Sequence, residues 1–176
     1  MRRIVTGALL SALAASLAGA QLPPPVPPAA APAHCTAPEH GQLDFWLGEW
    51  DVYNTAVEGE MRAYSKVAKV HNGCTIQEDW QPFTLLTGGS FSAYDRRAAV
   101  WRQTWVDSMG ERADLSGGLK NGKMVLAGGD SGAATFRRLT LWPEGAVVRL
   151  LAESSTDGGV TWRVSSDFTY KRRPPP

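Results

Sequence analysis

From Glu49 onward, apolar and polar residues alternate along the chain, with turn residues breaking the alternation about every eight to twelve positions. That is the pattern of an antiparallel sandwich or barrel, and no helix-period segment of useful length interrupts it. It predicts about ten strands, at 49–57, 61–71, 74–81, 88–95, 100–107, 111–117, 122–128, 133–142, 146–155 and 160–172. Asn72-Gly73 and Asn121-Gly122 suit two-residue hairpins, whose central positions need positive φ. Gly88-Gly89, Pro143-Glu144-Gly145 and Asp157-Gly158-Gly159 mark looser connections. Links this short imply up-and-down order, and a meander that closes on itself leaves no sheet edge exposed. The expected fold is all-β: a single antiparallel up-and-down β-barrel of about ten strands. Gly41 to Trp46 is long enough for one helical turn capping the barrel ahead of the first strand. No internal repeat points to a propeller or solenoid.

Side chains alternate across a strand, so parity tells which positions share a face. In the last strand Val160, Trp162, Val164, Phe168 and Tyr170 share the face predicted to be inward, and Arg172 continues it. In strand three Glu78 shares a face with Cys74, Ile76 and Trp80; in strand five Gln103 shares one with Trp101, Trp105 and Asp107. In strand eight Arg138 shares one with Phe136 and Trp142. Each of these strands sets a polar side chain among large aromatics, where a purely structural core favours Leu or Val. Two accounts stay open. One is a cavity bounded by Trp80, Trp101 and Trp105, with Glu78, Gln103 and Arg138 as its polar groups, holding a small apolar or amphipathic ligand. The other is a filled core in which Glu78 and Arg138 form a buried ion pair. Glu78, with Asp107 as a second carboxylate, is also the acid or base an enzyme in this barrel would use. A contact role for the rim loops toward an envelope partner is the remaining alternative. Arg149 and Glu153 lie opposite Val148, Leu150 and Ala152, as an exposed charge pair.

Composition narrows the setting. The chain has 176 residues and a net charge of +1, which gives no long-range field for nucleic acid or an anionic membrane. Residues 1–20 have the layout of a signal peptide: Arg2-Arg3, an apolar run from Ile4 to Leu17, and Ala18-Gly19-Ala20 as a cleavage site. Residues 21–40 form a Pro/Ala-rich linker, and 41–173 the barrel. No second apolar segment is long enough to span a membrane after cleavage, so the expected destination is periplasmic or secreted. An oxidising compartment and only two cysteines predict a disulfide between Cys35 and Cys74. The cluster His34, Cys35, Glu39 and His40 matches no zinc spacing, so no metal is expected there, and no cofactor is expected elsewhere. Catalytic strings are missing too: no G-x-S-x-G occurs, the glycine pairs lack the Lys or helix of a phosphate loop, and no catalytic residue is assigned. Tyr64, Lys66 and Lys69 do not form the basic aromatic stripe that single strands require.

Two motifs carry resemblances. Gly48-x-Trp50 is the short opening motif of calycin barrels, and it sits inside the longer string Asp44-Phe45-Trp46-Leu47-Gly48-x-Trp50. With Gly73-Cys74-x-Ile76-x-Glu78-x-Trp80, Trp101-x-Gln103-x-Trp105-x-Asp107 and Glu153-x-Ser155-x-Asp157-Gly158-Gly159-x-Thr161-Trp162, the chain resembles a family of secreted bacterial proteins of unknown function with a calycin-like barrel. The resemblance implies that Trp50 plugs the closed end and that a cation, Arg172 by parity, stacks on it. It supplies no reaction or ligand. Haem-binding calycins of the nitrobindin type use a late His, and here no His follows His71, so that ligand is missing. Ser155 to Trp162 also looks like the Asp-box of sialidases, S-x-D-x-G-x-T-W, which is a hairpin device; one copy predicts the ninth-to-tenth strand connection and no glycosidase.

Overall fold

The computed structural model describes residues 35–129 and 135–174; the expected signal peptide, and the linker up to His34, lie outside them. Two single 3₁₀ turns, Pro38–Gly41 and Asp44–Trp46, lead into ten strands. These are β1 (Gly48–Asn54), β2 (Met61–Val70), β3 (Thr75–Pro82), β4 (Gly88–Asp95), β5 (Val100–Asp107), β6 (Arg112–Lys120), β7 (Lys123–Gly128), β8 (Phe136–Glu144), β9 (Val147–Ser155) and β10 (Arg163–Arg172). Each strand pairs antiparallel with its sequence neighbours, and β1 pairs with β10, closing the ring. The chain is thus an all-β, up-and-down, calycin-like barrel, as the alternation predicts.

Turn chemistry explains most boundaries. At Asn121-Gly122, with φ of 52° and 78°, Lys120 pairs directly with Lys123, so β6 runs three residues past its expected end. Asn72-Gly73 differs from expectation: Val70 pairs with Thr75, so His71–Cys74 is a four-residue turn with three successive positive φ values. β1 stops at Asn54 because the chain turns back there, the Asn54 amide bonding to the Glu60 carbonyl at 2.9 Å. Strand ten starts at Arg163 and carries a bulge between Val164 and Ser166. The bulge reverses the parity ahead of it. Val164, expected inward, is therefore 62% exposed, and Val160, also expected inward, is 81% exposed because it belongs to the β9–β10 turn, while Phe168 and Tyr170 do point inward.

One end of the barrel is filled. Trp46, Trp50, Trp101 and Tyr170 are buried there with Leu43, Met124 and Leu141, and Tyr170 meets the edges of both Trp46 and Trp50 at 6.2 Å. Trp50 Nε1 donates to the Trp46 carbonyl at 2.9 Å. The Arg172 guanidinium stacks 4.2 Å from the Trp50 ring and donates to the Leu47 carbonyl at 2.7 Å, the closure expected from the opening motif. Arg172 is exposed, so the stack contributes about 1 kcal/mol. Gly48 is required beneath it: its φ is 135°, and a Cβ there would lie 2.0 Å from Arg172 Nη1. The Cys35–Cys74 disulfide, with Cα atoms 5.1 Å apart, ties the capping segment to the β2–β3 turn. Closing that loop contributes about 4 kcal/mol in the chain-entropy model. The bond also removes Cys35 from any metal set. His40, placed by composition at the end of the linker, is buried and meets Tyr94 edge-on at 5.7 Å.

Candidate ligand-binding cavity

Toward the other end the interior is a cavity of about 490 Å³. Its shape follows from side-chain size. Inward positions of β2 to β5 carry Ser65, Glu78, Ser90, Ser92 and Gln103, all buried, where the filled end has Trp and Leu. Across the barrel, Ala113 and Leu115 from β6, Leu139 from β8, and Leu150 and Ala152 from β9 form an apolar wall. Trp80, Trp105, Phe168 and Tyr170 stand between the walls. Gly88 makes room for Trp105, since a Cβ at Gly88 would lie 2.4 Å from that indole.

Glu78 is the centre of the polar wall and only 5% exposed. Its Oε1 accepts from Ser65 Oγ at 2.8 Å and from Tyr170 OH at 3.2 Å. Ser90 lies directly across from it on β4, but its Oγ makes no aligned hydrogen bond among the described residues. Burial away from water pushes the carboxyl up to about 7, against the pull of the Ser65, Tyr170 and Ser90 hydroxyls. Burial, and the adjoining carboxyl, push the Tyr170 phenol well above its ordinary value, so it stays a donor. Gln103 Nε2 donates to Ser92 Oγ at 3.0 Å, completing the polar layer.

Glu78, Trp80, Gln103 and Trp105 all line the cavity. Trp101 does not. It lies in the filled end, 1% exposed, with Nε1 donating to Gln42 Oε1 at 3.0 Å. Parity puts Trp101 and Trp105 on one face but leaves open that four residues of rise separate them along the axis. Arg138 is a second correction. Leu139 and Leu141 take the inward positions of β8, so Arg138 faces outward and touches the cavity only at its margin. It bonds Glu153 through two nitrogens at 2.7 and 2.8 Å and stacks 4.2 Å from the Trp162 ring. The Glu78–Arg138 ion pair, one of the two accounts the sequence leaves open, therefore does not form. Nor does an Arg149–Glu153 pair, because Arg149 bonds Glu144 and Asp167 instead.

The remaining lining comes from the mouth. Arg137, one residue from the expected Arg138, lines the cavity and bonds Glu111 at 3.0 Å. Asp107 Oδ1 accepts the Met109 and Glu111 amides at 2.9 and 3.1 Å, which holds the β5–β6 turn. In the register Asp107 faces Gly88, whereas Glu78 faces Ser90, so the two carboxyls lie two strands and two residues apart. At the β9–β10 turn the Asp-box works as a hairpin device. Asp157 accepts the Thr161 hydroxyl, the Thr161 and Val160 amides and the Ser155 hydroxyl, bonds that hold its carboxyl well below the usual range, and Trp162 Nε1 donates to the Gly159 carbonyl at 2.9 Å.

Ser65, Ser90 and Ser92 went unassigned from the pattern. Phe91 is 47% exposed, and Ser90 and Ser92 on either side of it point in. The signal was in the neighbour: a strand opposite an inward Glu78 puts Ser90 opposite it. No protein-family model matches the chain, and no curated protein matches it. Among the described residues, no helix is long and apolar enough to cross a membrane.

Proposed function

We infer that this protein is an exported barrel that holds a small apolar or amphipathic molecule in its interior rather than transforming it. The carrying observation is the two-sided cavity, apolar on β6 to β9 and polar around one buried carboxyl on β3, in the volume range of small-molecule sites. The leader-like start of the sequence and the disulfide support export, and the resemblance to a secreted calycin-like family agrees with that destination. A carboxyl near pKa 7 is suited to acid or base chemistry, but its expected helper Asp107 is occupied by the β5–β6 turn, which favours binding.

Native mass spectrometry of the protein purified from the cells that make it tests the reading. We expect a bound small molecule in the wild type and its loss in Ala113→Trp, which fills the apolar wall. An adduct that survives Ala113→Trp, or a wild type that carries nothing and binds nothing added back, would sink it.

A partner-docking role has its own observation. Phe83, Leu85 and Met109 are 57%, 98% and 75% exposed on the β3–β4 and β5–β6 loops at the mouth. The two loops are joined by the Ser108 amide on the Thr87 carbonyl at 2.8 Å. Exposed apolar clusters mark contact sites. Leu85→Asp with Met109→Asp should abolish capture of an envelope partner while leaving cavity binding intact; unchanged capture removes this role.

A further inference from the structure

We propose that the cavity selects an organic ammonium, a cationic amine on an apolar body, with the amine seated against Glu78 and the cavity's aromatic rings. The proposal rests on the binding reading above and names the ligand class.

Three independent features point to a cation. The first is the free side of Glu78. Both aligned hydrogen bonds end on Oε1, Oε2 receives neither, and Glu78 lines the cavity. The Ser90 hydroxyl lies near the carboxyl without an aligned bond, which leaves room for a donor brought in by the ligand to complete it.

The second is the set of rings. Trp80 lies two residues beyond Glu78 on the same face, with Phe168 at 5.4 Å and Tyr170 at 6.3 Å from it, while Trp105 stands opposite Ser90 at the level of Glu78. The protein's own cations stack on Trp50, Trp142, Trp162, Tyr53 and Tyr64. Among the described residues none stacks on Trp80, Trp105 or Phe168, although rings beside a carboxylate are what an ammonium prefers.

The third is charge. The lining carries four acids, Glu78, Asp107, Glu111 and Glu153, and two bases, Arg137 and Arg138. Each base is bonded to one of those acids, Arg137 to Glu111 and Arg138 to Glu153. Glu78 and Asp107 remain, so the cavity has no cation left for an anionic ligand and a carboxylate to spare for a cationic one. A seated ammonium would favour the ionised form of Glu78 over the protonated one.

The test is titration calorimetry of the full mature chain with octylamine, octanol and octanoate, which share an apolar body and differ in the head group. Octylamine should bind roughly tenfold or more tighter than octanol, and octanoate more weakly than either. Glu78→Gln should bring octylamine down to the affinity of octanol and leave octanol within about threefold of wild type. Octanol or octanoate binding as tightly as octylamine overturns the ammonium assignment and leaves the cavity-binding reading standing. Absence of binding by all three, read at two temperatures so that an enthalpy near zero at one is not mistaken for no binding, removes the cavity-binding reading itself. The wild-type series decides the matter even if Glu78→Gln does not fold.

Discussion

Along β10, Tyr170 and Arg172 meet Trp46 and Trp50 and fill one end of the barrel, whereas Ser166 and Phe168, a few residues earlier on the same strand, border the cavity. Both ends use the same strands, the same pairing and the same alternation. What differs is how far the inward side chains fill the space: Trp46, Trp50, Trp101, Met124 and Leu141 pack one end, whereas at the other Ser65, Glu78, Ser90 and Gln103 on β2 to β5 face the rings and the apolar wall across a cavity. A barrel interior is therefore packed or hollow by residue size within a fixed pattern, and in this molecule the division falls between Trp101 and Gln103 on a single strand.

The strongest way to break that contrast is at the filled end. Trp50→Ala should cost about 5 kcal/mol in urea unfolding, because it opens a large void and leaves the Arg172 guanidinium without its ring. A loss under about 2 kcal/mol would mean that this end is not the stabilising one. Next comes the disulfide. Replacing both Cys35 and Cys74 by Ser should cost about 4 kcal/mol, read as a lower thermal midpoint, with ligand binding at the far end unchanged once folded.

The cavity end answers to pH instead. Glu78 stands near 7 in the fold against an ordinary 4.5. A raised carboxyl stabilises the fold below its unfolded value and loses that contribution as pH rises through the folded one. The groups facing it are the uncharged Ser65 on β2 and Ser90 on β4 and the neutral Tyr170 on β10; Asp79 beside it on β3 pushes in the same direction. Relative to Glu78→Gln, the wild type should lose about 3 kcal/mol between roughly pH 4 and 8. Parallel stability curves for the two proteins would show that Glu78 is not buried as described. The smallest effect sharpens the contrast: Ser90→Ala removes a buried hydroxyl that has no aligned partner, and should change stability by under about 1 kcal/mol, toward greater stability. A clear destabilisation would show that Ser90 bonds to Glu78 in solution.

The sequence alone determined the features that depend on local chemistry or on short-range periodicity. Alternation and turn residues sufficed for ten strands in up-and-down order, Asn121-Gly122 specified its hairpin, and the Asp-box specified another. The even cysteine pair behind a leader-like start led to the Cys35–Cys74 bond, and the opening motif led to Arg172 on Trp50. Glu78, Trp80, Gln103 and Trp105 could be placed together because each lies on a strand with one plainly apolar face. The tertiary structure alone decided three things. β8 carries bulky apolar residues on both faces, Phe136 and Trp142 on one and Leu139 and Leu141 on the other, so only its neighbours settle that Arg138 is outside. The β10 bulge reverses parity at Ser165, and a bulge is a property of the pairing between two strands, not of either sequence. Height along the barrel axis separates Trp101 from Trp105 and the packed end from the cavity, and height depends on the stagger of all ten strands together, which no single strand encodes.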